Sequence, residues 1–134
     1  MTPEAIQNLI ERCEKATGPD RFIDAMMHLM LRPELGEAPW FQPHVAWWVY
    51  RGEGQEDDQH APLYTASIDA ALALMEKVLP GWSWYAGSVG EQDIPQATVT
   101  EPFGDCRDFV AHAPTAPLAI ILAFLRALQS QAAP

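Results

Sequence analysis

Four side chains, Glu56, Asp57, Asp58 and His60, are the closest approach in this chain to a ready-made chemical site. They combine carboxylate oxygens with an imidazole nitrogen, a donor set that suits a divalent transition metal and hydrolysis by a metal-activated water. Their spacing follows no fixed ligand pattern, so a charged, solvated loop is the reading it favours. Beside them stand five aromatics, Trp40, Phe41, Trp47, Trp48 and Tyr50, with Glu53 between the two groups. Exposed Trp and Tyr side chains anchor protein interfaces because they present a large apolar body with a polar tip. Buried, the same residues are only core. On the exposed reading, these aromatics together with Glu53, Glu56, Asp57 and Asp58 form one partner-binding loop.

Other chemistry is thinner. His112 has Cys106 and Asp108 close in sequence and could serve as a base, but a single strand histidine is ordinarily a surface or hydrogen-bonded residue. His28, in a helix, and His44, after a proline, do not stand out. There is no Gly-x-Ser-x-Gly elbow and no glycine-rich loop leading to a helix with a correctly placed lysine. No catalytic residue is assigned, and the leading reading calls for no cofactor. Cys13 and Cys106 match no metal or redox spacing. Cys13 falls on the apolar face of a helix as a buried thiol and Cys106 falls in a turn; a disulfide between them is the alternative.

The elements that must carry these residues follow from capping and periodicity. Thr2 caps and Pro3 opens a first helix with the stripe Ile6, Leu9, Ile10 and Cys13, ended by Thr17-Gly18. Asp20 caps a second, with Ile23, Met26, Met27 and Met30 sharing a face, closed by Arg32-Pro33; the pair makes a helical hairpin. Residues 33–62 hold four prolines and three glycines and read as an irregular loop or insertion. Within it, the β-branched and aromatic run 44–51 suits a short strand or an extended segment against the core. Ser67, with Asp69 in the first turn, then starts a helix through Leu79 that Pro80-Gly81 stops.

Three alternating runs come next, 82–89, 96–100 and 107–112, separated by short turns, which predicts an antiparallel meander. Trp82, Trp84 and Ala86 share one side. Ala97 and Val99 oppose Gln96, Thr98 and Thr100, and Phe109 and Ala111 oppose Val110 and His112. A last helix begins at Thr115 and is apolar over most of its circumference, so it is either buried on two sides or packed against another chain, which leaves room for a homodimer.

At 134 residues the chain fits one domain, and 49% hydrophobic residues set it apart from disordered sequences. Its longest apolar run, 118–125, is far short of the ~20 residues of a membrane span. The first residues show no basic and apolar leader, so a soluble, cytoplasmic protein is expected. The net charge of −10, with eight basic residues scattered along the chain, argues against direct binding to nucleic acid or anionic membrane. An acidic surface can aid solubility or meet a basic patch on another protein.

The order of elements resembles the phage ABA sandwich domain, a family of small phage and prophage proteins. The resemblance is carried by the run from Tyr64 through Leu72, by Pro80-Gly81-Trp82 with Trp84, by Ala113-Pro114-Thr115-Ala116-Pro117-Leu118-Ala119, and by Leu9-Ile10-Glu11 through Ala16-Thr17-Gly18-Pro19-Asp20. It spans most of the chain but not residues 33–62. It implies a layered α/β (α+β) sandwich and a phage origin, and it carries no catalytic residues over. The expected fold is a small, mainly antiparallel sheet packed by helices, with the N-terminal helical hairpin covering what remains. The leading functional expectation is a phage accessory protein acting by protein binding in the host cytoplasm, as an inhibitor of a bacterial defence nuclease such as a CRISPR effector. The alternatives are a metal-dependent hydrolase using His60, Glu56, Asp57 and Asp58, and a minor virion or assembly component.

Overall fold

Capping side chains fix where each helix starts. In the computed structural model, which describes residues 2–31, 40–42, 47–49 and 61–132 (of 40–42 and 47–49 the backbone), Thr2 accepts the Ala5 N–H at 3.1 Å and Pro3 occupies the first helical position of α1 (Pro3–Lys15). Asp20 starts α2 (Arg21–Leu31) by accepting the N–H groups of Phe22 and Ile23 at 2.9 and 3.3 Å. The other Asp20 oxygen takes Arg12 of α1 at 2.7 Å, so one carboxylate caps a helix and ties it to its neighbour. These are the N-terminal N–H groups that a helix cannot satisfy by itself.

A two-stranded ribbon comes next, β1 (Trp40–Gln42) and β2 (Trp47–Val49), antiparallel, with Phe41 opposite Trp48 and β2 beside α2. The strand expected within 44–51 is thus the second arm of a ribbon. Its first arm, three residues between Pro39 and Pro43, is too short to show an alternating pattern. Ser67 caps α3 (Ile68–Val78) through the Ala70 N–H. Just beyond it, Gly81 takes φ 86°, a left-handed conformation that turns the chain toward the sheet and that an L side chain adopts only under strain.

The strands β3 (Ser83–Val89), β4 (Ile94–Thr100) and β5 (Asp108–His112) form an antiparallel sheet in that order. Ala86, Ala97 and Ala111 stand side by side in one row, and Tyr85, Thr98 and Val110 in the next. β4 begins two residues before its apolar alternation becomes legible. Pro95 is accommodated there opposite Ser88, and its carbonyl accepts the Ala113 N–H at 3.2 Å. The alternation read from sequence holds: Ala97, Val99 and Ala111 are buried and their strand neighbours face the other way.

Residues 118–125 of α4 (Ala116–Ala132) are all buried. The helix lies between the sheet on one side and α1 and α3 on the other, and α3 reaches the core through α4 rather than lying beside it on the sheet. The breadth of apolar surface that left room for a second chain is therefore covered within this one. Burying each large side chain here, Leu118, Ile121, Leu122, Phe124 and Leu125 among them, contributes roughly 1.5–3 kcal/mol. Ile23 and Met27 of α2 join the same core, whereas Ala25, Leu29 and Ala61 form a small separate cluster. The result is a small α+β protein in which one antiparallel sheet is packed by helices. No described helix is long and apolar enough to cross a membrane.

Candidate functional site: an open sheet face and a buried polar cluster

Strand alternation gives the sheet two unlike faces. α4 packs on the face that carries Ala97, Val99 and Ala111; the opposite face presents Ser83, Tyr85, Gly87 and Val89 on β3, the even-numbered residues of β4, and Asp108, Val110 and His112 on β5. Solvated sheet faces are normally polar. This one has Tyr85, 61% exposed, and Val110, 40% exposed, flanking Thr98 in a single row. The Tyr85 ring lies along its own strand above Gly87: a methyl group there would stand 2.6 Å from the phenolic oxygen, so the glycine makes the ring's position possible. Polar rows bound the apolar one. Thr100 donates to Asp108 at 2.7 Å, and His112 Nε2 lies 2.9 Å from Gln96 Oε1. Beyond the second polar row, Val89 and Ile94 pair at the β3–β4 turn, which carries Glu91 and Asp93. Carboxylates thus stand at both ends of the face.

The second concentration of polar chemistry is internal. Asp24 of α2 is fully buried, and both of its oxygens are occupied. One accepts the Thr65 N–H at 2.8 Å and the Thr65 hydroxyl at 2.9 Å; the other accepts Arg21 Nη1 at 2.7 Å. Arg21 also donates to the carbonyls of Ala61 and Pro62 at 2.7 and 3.2 Å, and the Thr65 hydroxyl oxygen accepts the Asp20 N–H at 2.8 Å. Burial raises the Asp24 carboxyl above its ordinary range, against the opposing pull of Thr65 and Arg21. Tyr64, beside it, is raised too, by burial and then by the Asp24 charge, and its hydroxyl lies 3.4 Å from His28 Nδ1. With no exposed surface, Asp24 has no route to a substrate. The cluster's work is to fasten α2 to the segment that leads into α3. Sequence reasoning passed over it because Asp24 lies off the stripe of Ile23, Met26, Met27 and Met30, on the side of α2 that carries Arg21 and His28, where a charged residue is ordinarily solvated.

Of the residues singled out from sequence, Trp40 and Phe41 lie in β1 and Trp47 and Trp48 in β2. Tyr50, Glu53, Glu56, Asp57, Asp58 and His60 fall outside the described residues. His112 and Asp108 are not brought together: they occupy opposite ends of β5, four residues or about 13 Å apart, each bonded across to β4. Cys13 and Cys106 are both free, the first buried in α1 and the second exposed in the β4–β5 connection. Burial, reinforced by the charges of Asp20, Asp24 and Glu14, pushes the Cys13 thiol up to about 12. Among the described residues no group of three or more His, Cys, Asp or Glu is placed to hold a metal ion. Comparison with family models, with curated proteins and with solved structures finds no match to this chain.

Proposed function

We propose that the chain is a non-catalytic phage accessory protein that acts in the host cytoplasm by binding another protein through the open face of its sheet. The observation that carries this reading is the row Tyr85, Thr98, Val110: an exposed aromatic and an exposed aliphatic side chain on either side of Thr98, across a sheet face with no described helix on it. A phenol ring on such a face contributes large contact area at little cost in side-chain entropy. The aromatic ribbon of Trp40, Phe41, Trp47 and Trp48, with the acidic run after it, is the second contact surface in this reading.

The partner proposed is a nucleic-acid-binding defence nuclease of the bacterial host, which the chain would inhibit. Charge supports that choice. The molecule carries −10, and Arg12, Arg21, Arg107 and Arg126 each stand in an ion pair with a carboxylate of the same chain, which leaves the remaining acids in excess. A groove built to hold phosphates is basic and meets such a surface favourably. The resemblance read from 9–20, 64–72, 80–84 and 113–119 to small phage proteins is in keeping with this reading.

The test is a tagged capture from bacterial lysate using the wild-type chain, a Tyr85→Ala/Val110→Ser variant and a Trp47→Ala/Trp48→Ala variant, each checked by circular dichroism. Capture of a nuclease whose nucleic-acid binding falls when the chain is added, and which is lost with the sheet-face variant, is the expected result. Failure to capture a nuclease, or capture unaltered by either variant, overturns the reading.

A further inference from the structure

Tyr85 borders both the open face and the β3 edge of the sheet; association along the edge is measured on the purified chain alone, apart from the capture that tests the function proposed above. With the order β3-β4-β5, β3 and β5 are the two edges. The β5 edge is partly closed: Arg126 of α4 donates to the Val110 carbonyl at 2.7 Å while pairing with Glu14 of α1 at 3.5 Å. The β3 edge differs. Among the described residues, no turn, loop or side-chain hydrogen bond reaches it beyond its ladder with β4.

Exposed edges are normally protected by a lysine, a proline, a bulge or short length, because their free N–H and C=O groups can pair with another chain. β3 has none of these. It runs seven residues, Ser-Trp-Tyr-Ala-Gly-Ser-Val, without a charge or a proline, and its pairing with β4 is continuous from Ser83 opposite Thr100 to Val89 opposite Ile94. Trp84, on one face of the sheet, is 47% exposed, and Tyr85, on the other, 61%. Aromatics of both faces are therefore uncovered at the same edge.

We propose that two copies of this chain pair along β3, antiparallel, into one continuous sheet with its two-fold axis at Ala86. The geometry of strands selects that register. Alternate residues of an edge strand direct their backbone groups outward, so two copies in antiparallel self-pairing match only when the axis passes through a residue rather than between two. Ala86 is the middle residue of the seven, so an axis there alone uses the whole strand. It also places Tyr85 opposite Gly87 of the second copy, Trp84 opposite Ser88, and Ser83 opposite Val89. Large side chains meet small ones on both faces, which is the condition for cross-strand packing. Since the strand is uncharged, two molecules of −10 meet there without like charges directly opposed.

Sedimentation equilibrium over a range of concentrations is the first measurement, repeated at low and high salt. A dimer that tightens as salt screens the repulsion between the two acidic bodies is expected. The register is then read in a Cys106→Ser background with a short bifunctional maleimide, using Ala86→Cys, Tyr85→Cys and Gly87→Cys in turn. Cross-linking strongest at position 86 is expected. Because Ala86 is half-buried, Tyr85→Lys serves as a second variant: it sits on the open face, keeps the fold by circular dichroism, and brings two lysines diagonally together across the axis, weakening association by about tenfold or more. A monomer at every concentration overturns the proposal and leaves the edge to a strand from another protein. A dimer indifferent to Tyr85→Lys, or cross-linked best at 85 or 87, overturns it as well.

Discussion

Thr65 gives both its backbone N–H and its hydroxyl to the same carboxylate oxygen of Asp24, at 2.8 and 2.9 Å. The two residues are 41 positions apart, so this contact closes the chain between α2 and α3. Thr65→Val keeps the backbone donor but removes the hydroxyl from Asp24 and the acceptor from the Asp20 N–H. The expected loss is about 1–3 kcal/mol, read from the urea midpoint, and Thr65→Ser recovers most of it. Asp24→Ala takes the carboxylate away from Arg21 and costs about 3–5 kcal/mol.

Two carboxyls give stability opposite responses to acid. Burial holds Asp24 above its ordinary 3.8, so the folded protein keeps a proton that the unfolded chain has lost. Its contribution is fully present below the unfolded value and is lost as pH rises through the folded one. Glu101 is held below its ordinary 4.5, chiefly by its side-chain hydrogen bond from Arg107, so its contribution is present above the unfolded value and is lost as pH falls through the folded one. A carbon-13 NMR titration should find Asp24 titrating above ordinary aspartate and Glu101 below ordinary glutamate. Glu101→Gln should flatten the acid side of the stability profile.

The helix starts were legible because a cap is a local device: Thr2, Asp20, Ser67 and Thr115 each serve an N–H two or three residues on. The faces of the meander were legible because strand alternation has a period of two, which the sequence around Ala97 and Ala111 repeats. What escaped is non-local. Asp24 reads as one polar residue in a helix until Thr65 and Arg21 are placed against it, and no spacing reveals a partner 41 residues away. The open sheet face was hidden for a related reason. Tyr85 and Val110 become neighbours only through Thr98 on the strand between them.

The two cysteines should differ sharply in reactivity. The thiolate is the reactive form, and Cys13 is 1% exposed with its thiol pushed up to about 12, whereas Cys106 stands at the surface with φ 50°. A thiol reagent near pH 8 is expected to label Cys106 alone in the native protein and both residues in urea. In a Cys106→Ser variant no native labelling should remain beyond the rate at which the core opens, so that rate becomes a probe of unfolding.

The row Ala86, Ala97, Ala111 crosses all three strands on the face against which α4 packs. Side chains of methyl size let the helix approach the sheet closely, and Ala97 and Ala111 are buried there at 1% and 0% exposure. Ala97→Leu adds three carbons beneath a helix that is itself held from behind by α1 and α3, so the strain has no free direction in which to relax. Overpacking of this kind costs about 1–3 kcal/mol. Thr98→Leu, one residue along the same strand, points to the open face and should change stability by no more than about 0.5 kcal/mol. Thermal and urea unfolding of the two variants side by side makes the comparison. Equal costs would mean that α4 is not what covers the alanine row, and a large cost at 98 alone would mean that the face carrying Thr98 is the packed one.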